Sequence, residues 1–410
     1  MRWAIGLLAL VVPVCAYATA ASAADPLSLD SFSGVAVAGA EATSGEPSWV
    51  NGGEGKLETG RGVIVPFGSA IVEWHPVLPD RFGIVVSADA QSLANSVIGL
   101  DEAYVTFRPE RDDAVSISAR AGLFFPPVSL EHDGSGWSLS RTLTPSAINS
   151  WIANEVKVAG VEATLHTAFV NRPLNLTLAA FEGDQTAGAL LAFRGWALDD
   201  LRATLGGTFD LPPLPPRFIG RQAIETDSID EVDGRLGGYG KIDYEPRDNL
   251  EVDLFGYDNN GSITALKDGQ YAWRTRFVQA SVRWTPRQDA EVLAQAMTGD
   301  TLMGIPVNGQ TPVNIGFAAA YVLVSQTTSA GTATLRVDQF SISDHVFTAL
   351  YNLAESGWSG TADWAMKLSE RSQLVFEGIW LSSDRPDRAR LGERPDQQSL
   401  QARAAFRTDF

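Results

Sequence analysis

The sequence predicts an all-β fold: a transmembrane antiparallel β-barrel of roughly 16 strands (14 to 18), with short turns on one rim and long loops on the other. Three observations predict it. Segments of about ten residues alternate apolar and polar side chains along most of the chain. Beyond the N-terminal leader, no apolar run approaches the ~20 residues that a spanning helix needs. The connections between segments alternate between short polar turns and long stretches.

The chain opens with a leader. Arg2 is a basic n-region, Ile5 to Val14 is a short apolar run, and Ala21-Ser22-Ala23 fits the small-x-small cleavage pattern. Residues 1–23 are therefore expected to be a cleaved export signal, with a single barrel domain over 24–410. Cys15 is the only cysteine, and Val14 precedes it where an acylation site has a small residue. The mature chain would then lack disulfides, thiolate metal sites and a cysteine nucleophile.

Strands follow in order. Ser31 to Ala40 alternates weakly, and Glu41 to Gly62 reads as a loop. Ala70, Val72 and Trp74 face one way, as do Phe82, Ile84, Val86 and Ala88 after the turn Pro79-Asp80. Ala103, Val105 and Phe107 oppose Glu102, Tyr104, Thr106 and Arg108. The clearest set is Val115, Ile117, Ala119, Ala121 and Leu123, with Ser116, Ser118, Arg120 and Gly122 between them. Leu174, Leu176 and Leu178 repeat the pattern, and so do Leu201, Ala203, Leu205 and Phe209 against Arg202, Thr204, Thr208 and Asp210. Later segments are centred on Leu250–Leu254, Val278–Trp284, Leu335–Val337 and Trp364–Leu368. Pro109 to Asp113, Pro246 to Asn249 and Pro286 to Gln288 are tight turns. Phe125 to Lys157, Leu211 to Gly234, Thr298 to Val313 and Ser383 to Gln398 are the long connections.

The last strand closes the series. Leu400, Ala402, Ala404, Phe406, Thr408 and Phe410 alternate with Gln401, Arg403, Ala405, Arg407 and Asp409. A terminal Phe behind alternating apolar residues resembles the C-terminal assembly signal of outer-membrane barrel proteins. Phe410 and Phe406 are its candidate residues, with the barrel-assembly machinery as the implied partner. A soluble propeller or sandwich fits less well, because no period of about 40 residues and no domain linker is present.

Charge narrows the function. A formal net charge of -18 disfavours nucleic-acid binding, which needs a basic surface. The 11 Trp, 19 Phe and 8 Tyr suit interfacial girdles facing outer-membrane lipid and lipopolysaccharide. Phe125 to Lys157 is long enough to be functional, and inside a barrel its obvious use is to fold inward and narrow the pore.

Gly122, Phe124, Phe125, Pro126 and Pro127 end a strand as G-x-F-F-P-P, with Glu131 shortly after, the run Thr144-Pro145-Ser146-Ala147-Ile148-Asn149, and Gly160-Val161-Glu162 beyond. Here the chain resembles the phosphate-selective porin O/P-like group of outer-membrane porins. The resemblance implies a 16-stranded barrel in the cell outer membrane, often a homotrimer, that passes small solutes by diffusion. The lysine ladder of phosphate-selective members is missing: only Lys56, Lys157, Lys241, Lys267 and Lys367 occur. The expected lumen instead mixes Arg120, Arg202, Arg283, Arg336, Arg403 and Arg407 with Glu73, Glu102, Asp210, Glu251, Asp253 and Asp338. Mixed signs favour small polar solutes without strong ion preference, so phosphate selectivity does not carry over. The candidate pore-lining and constriction residues are Arg120, Glu131, Arg141, Trp137, Trp151, Arg202, Arg283 and Arg336.

No enzyme, cofactor or metal site is expected. His132 lies beside Glu131, Asp133 and Ser135, which gives a loop base near a hydroxyl; a solvated or pore-lining histidine is the simpler reading, and no G-x-S-x-G elbow appears. Glu225, Asp227, Asp230, Glu231 and Asp233 could bind a cation, but their order matches no EF-hand, and a solvated extracellular loop is the simpler reading because like-charge runs are usually exposed. Pro212-Pro213-Leu214-Pro215-Pro216 is expected to stiffen that loop and hold it off the rim. The rivals are a barrel hydrolase using Ser135 and His132, and a non-conducting structural barrel with a filled lumen.

Overall fold

The computed structural model describes residues 26–410 other than 63, 77, 79, 80, 109–114 and 349–350. The expected leader, residues 1–23, and the turns at 79–80 and 109–113 lie outside the described residues. Among the described residues twenty strands occur in order: β1 (Phe32–Ser44), β2 (Ile64–Trp74), β3 (Phe82–Gln91), β4 (Ile98–Phe107), β5 (Ser116–Phe124), β6 (Val158–Phe169), β7 (Arg172–Glu182), β8 (Thr208–Asp210), β9 (Glu225–Asp227) and β10 (Gly237–Arg247). They continue as β11 (Leu250–Asp258), β12 (Leu266–Lys267), β13 (Gln270–Tyr271), β14 (Arg274–Arg287), β15 (Ala290–Met303), β16 (Val313–Thr328), β17 (Gly331–Asp344), β18 (Glu355–Lys367), β19 (Ser372–Asp384) and β20 (Asp396–Asp409). Sixteen of these close an antiparallel barrel, while β8–β9 and β12–β13 are hairpins within loops. The barrel closes where β1 pairs with β20, from Val35 opposite Asp409 to Ser44 opposite Leu400.

The period-2 pattern sets the two faces of the wall. On β14, Val278, Ala280, Val282 and Trp284 point outward, while Phe277, Gln279, Ser281 and Arg283 point into the lumen. On β20, Leu400, Ala402, Ala404 and Phe406 are outward, and Gln401, Arg403, Ala405 and Arg407 inward, as their alternation requires. A closed ladder satisfies every wall strand on both edges, so an apolar exterior can face hydrocarbon without an open edge. Residues such as Leu254, Leu335, Val337, Trp358 and Trp380 form that exterior. The final residue is tied in: Phe410 and Gly34 exchange backbone hydrogen bonds of 3.0 and 3.1 Å, and the Phe410 ring lies where a Cβ on Gly34 would be, 2.6 Å away.

Two sequence-based expectations are corrected. Leu201 to Phe209 does not form a wall strand. Its backbone bonds run instead to Ala153 (from Ala203) and Leu100 (from Leu205), and only Thr208–Asp210 pairs, with β9. An extended segment alternates wherever it lies, so periodicity cannot tell wall from interior. The Pro212–Pro216 segment does not stand off the rim either. Leu211 and Leu214 are buried, Phe218 packs edge-on to Phe193 at 5.2 Å, and Arg390 donates to the Pro213 carbonyl.

Inward segments among the described residues fill part of the lumen, and two of them carry helices; the stretch with Trp49, Lys56 and Leu57 is buried beside them. Residues 125–157 carry helix α1 (Ala147–Glu155), and residues 183–207 carry the short helix α2 (Ala189–Phe193). Trp151, Ile152, Leu190, Leu191 and Trp196 pack there against the inward wall residues Phe277, Leu293, Phe317, Tyr321 and Phe340. Because both faces of α1 are enclosed, every one of its residues is buried.

Candidate functional site in the barrel lumen

Residues 125–157 leave β5 and cross the lumen, anchored at each step by an inward wall side chain. Glu102 accepts from the Phe125 N–H at 2.9 Å, and Gln279 and Gln295 both donate to the Val128 carbonyl at 2.7 Å. Glu73 accepts from the Gly136 N–H at 3.1 Å. Glu377 accepts from the Leu143 and Thr144 N–H groups at 2.9 and 3.1 Å. The run Pro145-Ser146 then starts α1 as its residue types dictate: the Ser146 side chain caps it by accepting from Asn149 N–H at 3.3 Å. Two carboxylates complete the positive helix end, Asp338 on the Ala147 N–H at 3.1 Å and Glu131 on the Ser146 N–H at 2.9 Å. At the other end Glu155 accepts from the Trp151 indole at 2.8 Å and from the Gly188 and Leu190 N–H groups at 3.0 and 2.8 Å, joining α1 to the start of α2. Burial raises the Glu155 pKa, opposed by the hydrogen bonds it accepts.

Six of the eight residues singled out from sequence divide into two groups. Arg336 (1 % exposed), Glu131 (2 %) and Trp151 (0 %) are enclosed, so they pin the inward segment rather than face open lumen. Arg336 pairs with Glu131 and Asp338 at 3.0 Å each and donates to the Thr144 and Pro145 carbonyls. Trp151 meets Trp196, Phe277 and Phe317 edge-on at 6.1, 5.5 and 5.3 Å. The second group keeps partial exposure on the inward side. Arg120 chelates Glu162 at 2.8 and 3.0 Å. Arg283 lies 3.0 Å from Glu291 and 3.5 Å from Asp133, and Arg141 pairs with Asp133 at 2.9 Å and with Glu291. Burial pushes Asp133 up, but the Arg141 hydrogen bond and charge outweigh it and hold the carboxyl below its ordinary range.

Arg202 is on the second inward segment, not on a wall strand, and is buried against Asp89 at 2.7 Å and Asp200 at 2.8 Å. It borders a cavity of about 40 Å³, together with Glu58, Asp200, Leu139, Arg403 and Arg407. Burial raises Glu58 to about 8 and Asp200 to about 6, against the pull of Arg403 and Arg202 respectively.

Trp137 stacks between Phe125 and His132, with ring centroids 3.7 Å from each. His132 is thus buried, not solvated; burial and the Arg202 charge hold its pKa well below the ordinary histidine value. Its Nδ1 lies 2.9 Å from Ser129 Oγ, so the pairing with Ser135 considered from sequence is replaced by a local turn. The acidic residues of 225–233 cap backbone groups and Lys267: Asp230 pairs with Lys267 at 2.8 Å, and Glu231 accepts from the Gly183 N–H at 3.0 Å. Among the described residues no three His, Cys, Asp or Glu side chains gather as a metal-holding group.

Sequence reasoning missed three arrangements. Lys56 and Lys157 are fully buried: Lys157 on Asp101 at 2.6 Å, and Lys56 on Glu355 at 2.7 Å beside Arg385. The scarcity of lysine was the one available signal. Ser118, His166 and Asn175 also line up on β5, β6 and β7, with Oγ–Nε2 2.7 Å and Nδ1–Oδ1 2.9 Å. His166 and Asn175 face each other across one hairpin, but Ser118 lies 48 positions before His166, and a strand partner that far apart leaves no local mark.

No family model matches the chain, and no curated protein does. Solved structures do. The outer membrane channel DcaP of Acinetobacter baumannii is similar over 92 % of this chain and 96 % of its own, with a TM-score of 0.57 and 11 % identity. An anion-selective porin from Comamonas acidovorans matches over 92 % and 98 %, with a TM-score of 0.52 and 10 % identity. A loop L8 deletion mutant of OmpT, an outer membrane protein of Vibrio cholerae, matches over 92 % and 99 %, with a TM-score of 0.52 and 6 % identity. The shared feature is the fold, a closed antiparallel barrel of 16 strands.

Proposed function

We propose that this chain is an outer-membrane porin that passes small polar solutes through a narrow, charge-lined route beside its inward segments. The observation that carries the reading is the wall itself: apolar outward, charged inward, with residues 125–157 pinned across the lumen by inward side chains. Among the inward charges that keep partial exposure, Arg120, Arg141, Arg283 and Arg407 are interleaved with Glu162, Asp133, Glu251 and Glu291. Such a field sorts solutes by size and polarity without covalent chemistry. Export by a cleaved leader, placement in the outer membrane, assembly through Phe410 and Phe406, homotrimer formation and kinship with the phosphate-selective O/P-like group belong to the same proposal.

The test is single-channel recording of the refolded protein in a planar bilayer under a salt gradient. Stable small steps support the porin. A specific observation favours one other reading, a non-conducting barrel: α1 and α2 are wholly enclosed. Silence from a barrel with correct heat-modifiable mobility would establish that reading and remove the first. The hydrolase reading now rests on Ser118, His166 and Asn175, but the surrounding N–H groups are committed to the β5–β6–β7 ladder, leaving no oxyanion donors from the strands.

A further inference from the structure

The charges on the inner face of one wall sector, β10 to β15, are mixed in sign but unequal in number. Arg283 lies 3.0 Å from Glu291, Arg141 of the inward segment lies 2.9 Å from Asp133, and Lys241 lies 2.6 Å from Asp243. Each of these three cations thus has a carboxylate at hydrogen-bond distance. Glu251 and Asp253 do not share in that pairing. Glu251 comes to 3.7 Å from Arg283 and Asp253 to 4.0 Å from Lys241, and both of those cations hold a nearer carboxylate. Asp253 is buried, and its Oδ1 has no hydrogen-bond partner.

Strand register gathers these acids. Asp243 stands opposite Asp253 across β10 and β11, and Glu251 stands opposite Arg283 across β11 and β14. Like charges directly opposite on a sheet are destabilising, so the wall holds the Asp243–Asp253 pair against its own stability. Ionisable side chains inside a membrane-spanning structure are costly and mark ion or solute paths. The sector keeps contact with water: the Glu251 side chain is 35 % exposed and that of Arg283 27 %. The same excess recurs deeper in the lumen, where Arg403 meets Glu41 at 2.9 Å, Glu58 at 3.2 Å and Glu377 at 3.9 Å. Even with Glu58 protonated, as its burial favours, two carboxylates face one guanidinium there. On β2, Glu73 accepts from the neutral Gly136 N–H at 3.1 Å.

We propose that the lumen admits small monovalent cations in preference to anions, and that Glu251 and Asp253 set this preference. A wall with carboxylates in excess concentrates cations and depletes anions in the passage beside it. The inference rests on the porin reading and narrows the class of solute that it passes. Within a Debye length, about 10 Å at 0.1 M salt, one unpaired charge in water changes the local ratio of cations to anions about twofold. Two unpaired carboxylates together give about fourfold.

The test is the reversal potential of the full refolded chain in a planar bilayer under a potassium chloride gradient centred near about 0.1 M, where screening leaves the field readable. Wild type should pass potassium over chloride about fourfold, Glu251→Gln and Asp253→Asn should each lower that ratio about twofold, and the double variant should bring it to about one. Arg283→Gln removes an inward cation and should raise the ratio about twofold. Asp300→Asn, which lies on the outer face beside Arg276, should leave it at the wild-type value. A wild-type ratio of one or below overturns the proposal. So does a double variant that folds, by its heat-modifiable mobility, and keeps the wild-type ratio. An Asp300→Asn shift as large as that of Glu251→Gln also overturns it, since the charge of the whole chain would then be the cause. The porin reading fails separately: a correctly folded barrel without conductance removes both, whereas conductance without cation preference removes this inference alone.

Discussion

Replacing Arg336 by Met should release the inward segment while leaving the wall standing. The Arg336 side chain is enclosed and holds Glu131 and Asp338 at 3.0 Å, the Thr144 and Pro145 carbonyls at 2.7 and 2.8 Å, and Thr361 at 3.2 Å. Removing one partner of a buried ion set strands the others and costs roughly 3–5 kcal/mol. At 1.4 kcal/mol per factor of ten, the released population rises between about a hundred and a few thousand-fold. The loss falls on residues 125–157, because β17 keeps its backbone pairing with β16 and β18. Limited proteolysis of the refolded barrel reads this directly: cleavage within 125–157 should accelerate while heat-modifiable mobility is unchanged. Adding Glu131→Gln and Asp338→Asn should restore most of the protection, since neutral groups in place of a buried ion set leave no charge stranded. Protection of Arg336→Met equal to wild type, or a triple variant no better than the single, would refute the reasoning.

Further outcomes are expected. Burial raises Glu58 to about 8 and Asp200 to about 6, so the folded state binds more protons than the unfolded state between about pH 4 and 8, and stability there falls as pH rises. Lys56, lowered to about 7 by burial, acts with the opposite sign above that pH; proteolytic protection across pH 5–9 should therefore show a flatter acid-side slope in Glu58→Gln than in wild type. Deleting Phe410 removes its paired backbone bonds to Gly34, and the yield of heat-modifiable barrel in vesicles should drop several-fold; an unchanged yield would remove its assembly role. Ser118→Ala should leave conductance unchanged, and the wild-type protein should not label with a fluorophosphonate; labelling that Ser118→Ala abolishes would revive the hydrolase.

Most of the wall is legible in the sequence, and most of the lumen is not. Val115 to Leu123, Val278 to Trp284 and Leu400 to Phe410 declare their lipid-side and lumen-side residues because a strand's two faces alternate locally, with period 2. The inward course of 125–157 is legible too, from its length and its Pro126-Pro127 break. Leu201 to Phe209 misleads for the same reason that the others succeed: alternation records an extended backbone, not the partner of its hydrogen bonds. Those partners, Ala153 and Leu100, lie in other parts of the chain. Arg336 with Glu131, Lys157 with Asp101, and Ser118 with His166 depend likewise on which distant strands the closed sheet brings together. By itself the sequence determined a wall with one apolar and one charged face. Only the tertiary structure decided which charges are spent in buried pairs and which remain toward water, because burial and ion pairing belong to the closed barrel and not to any one of its strands.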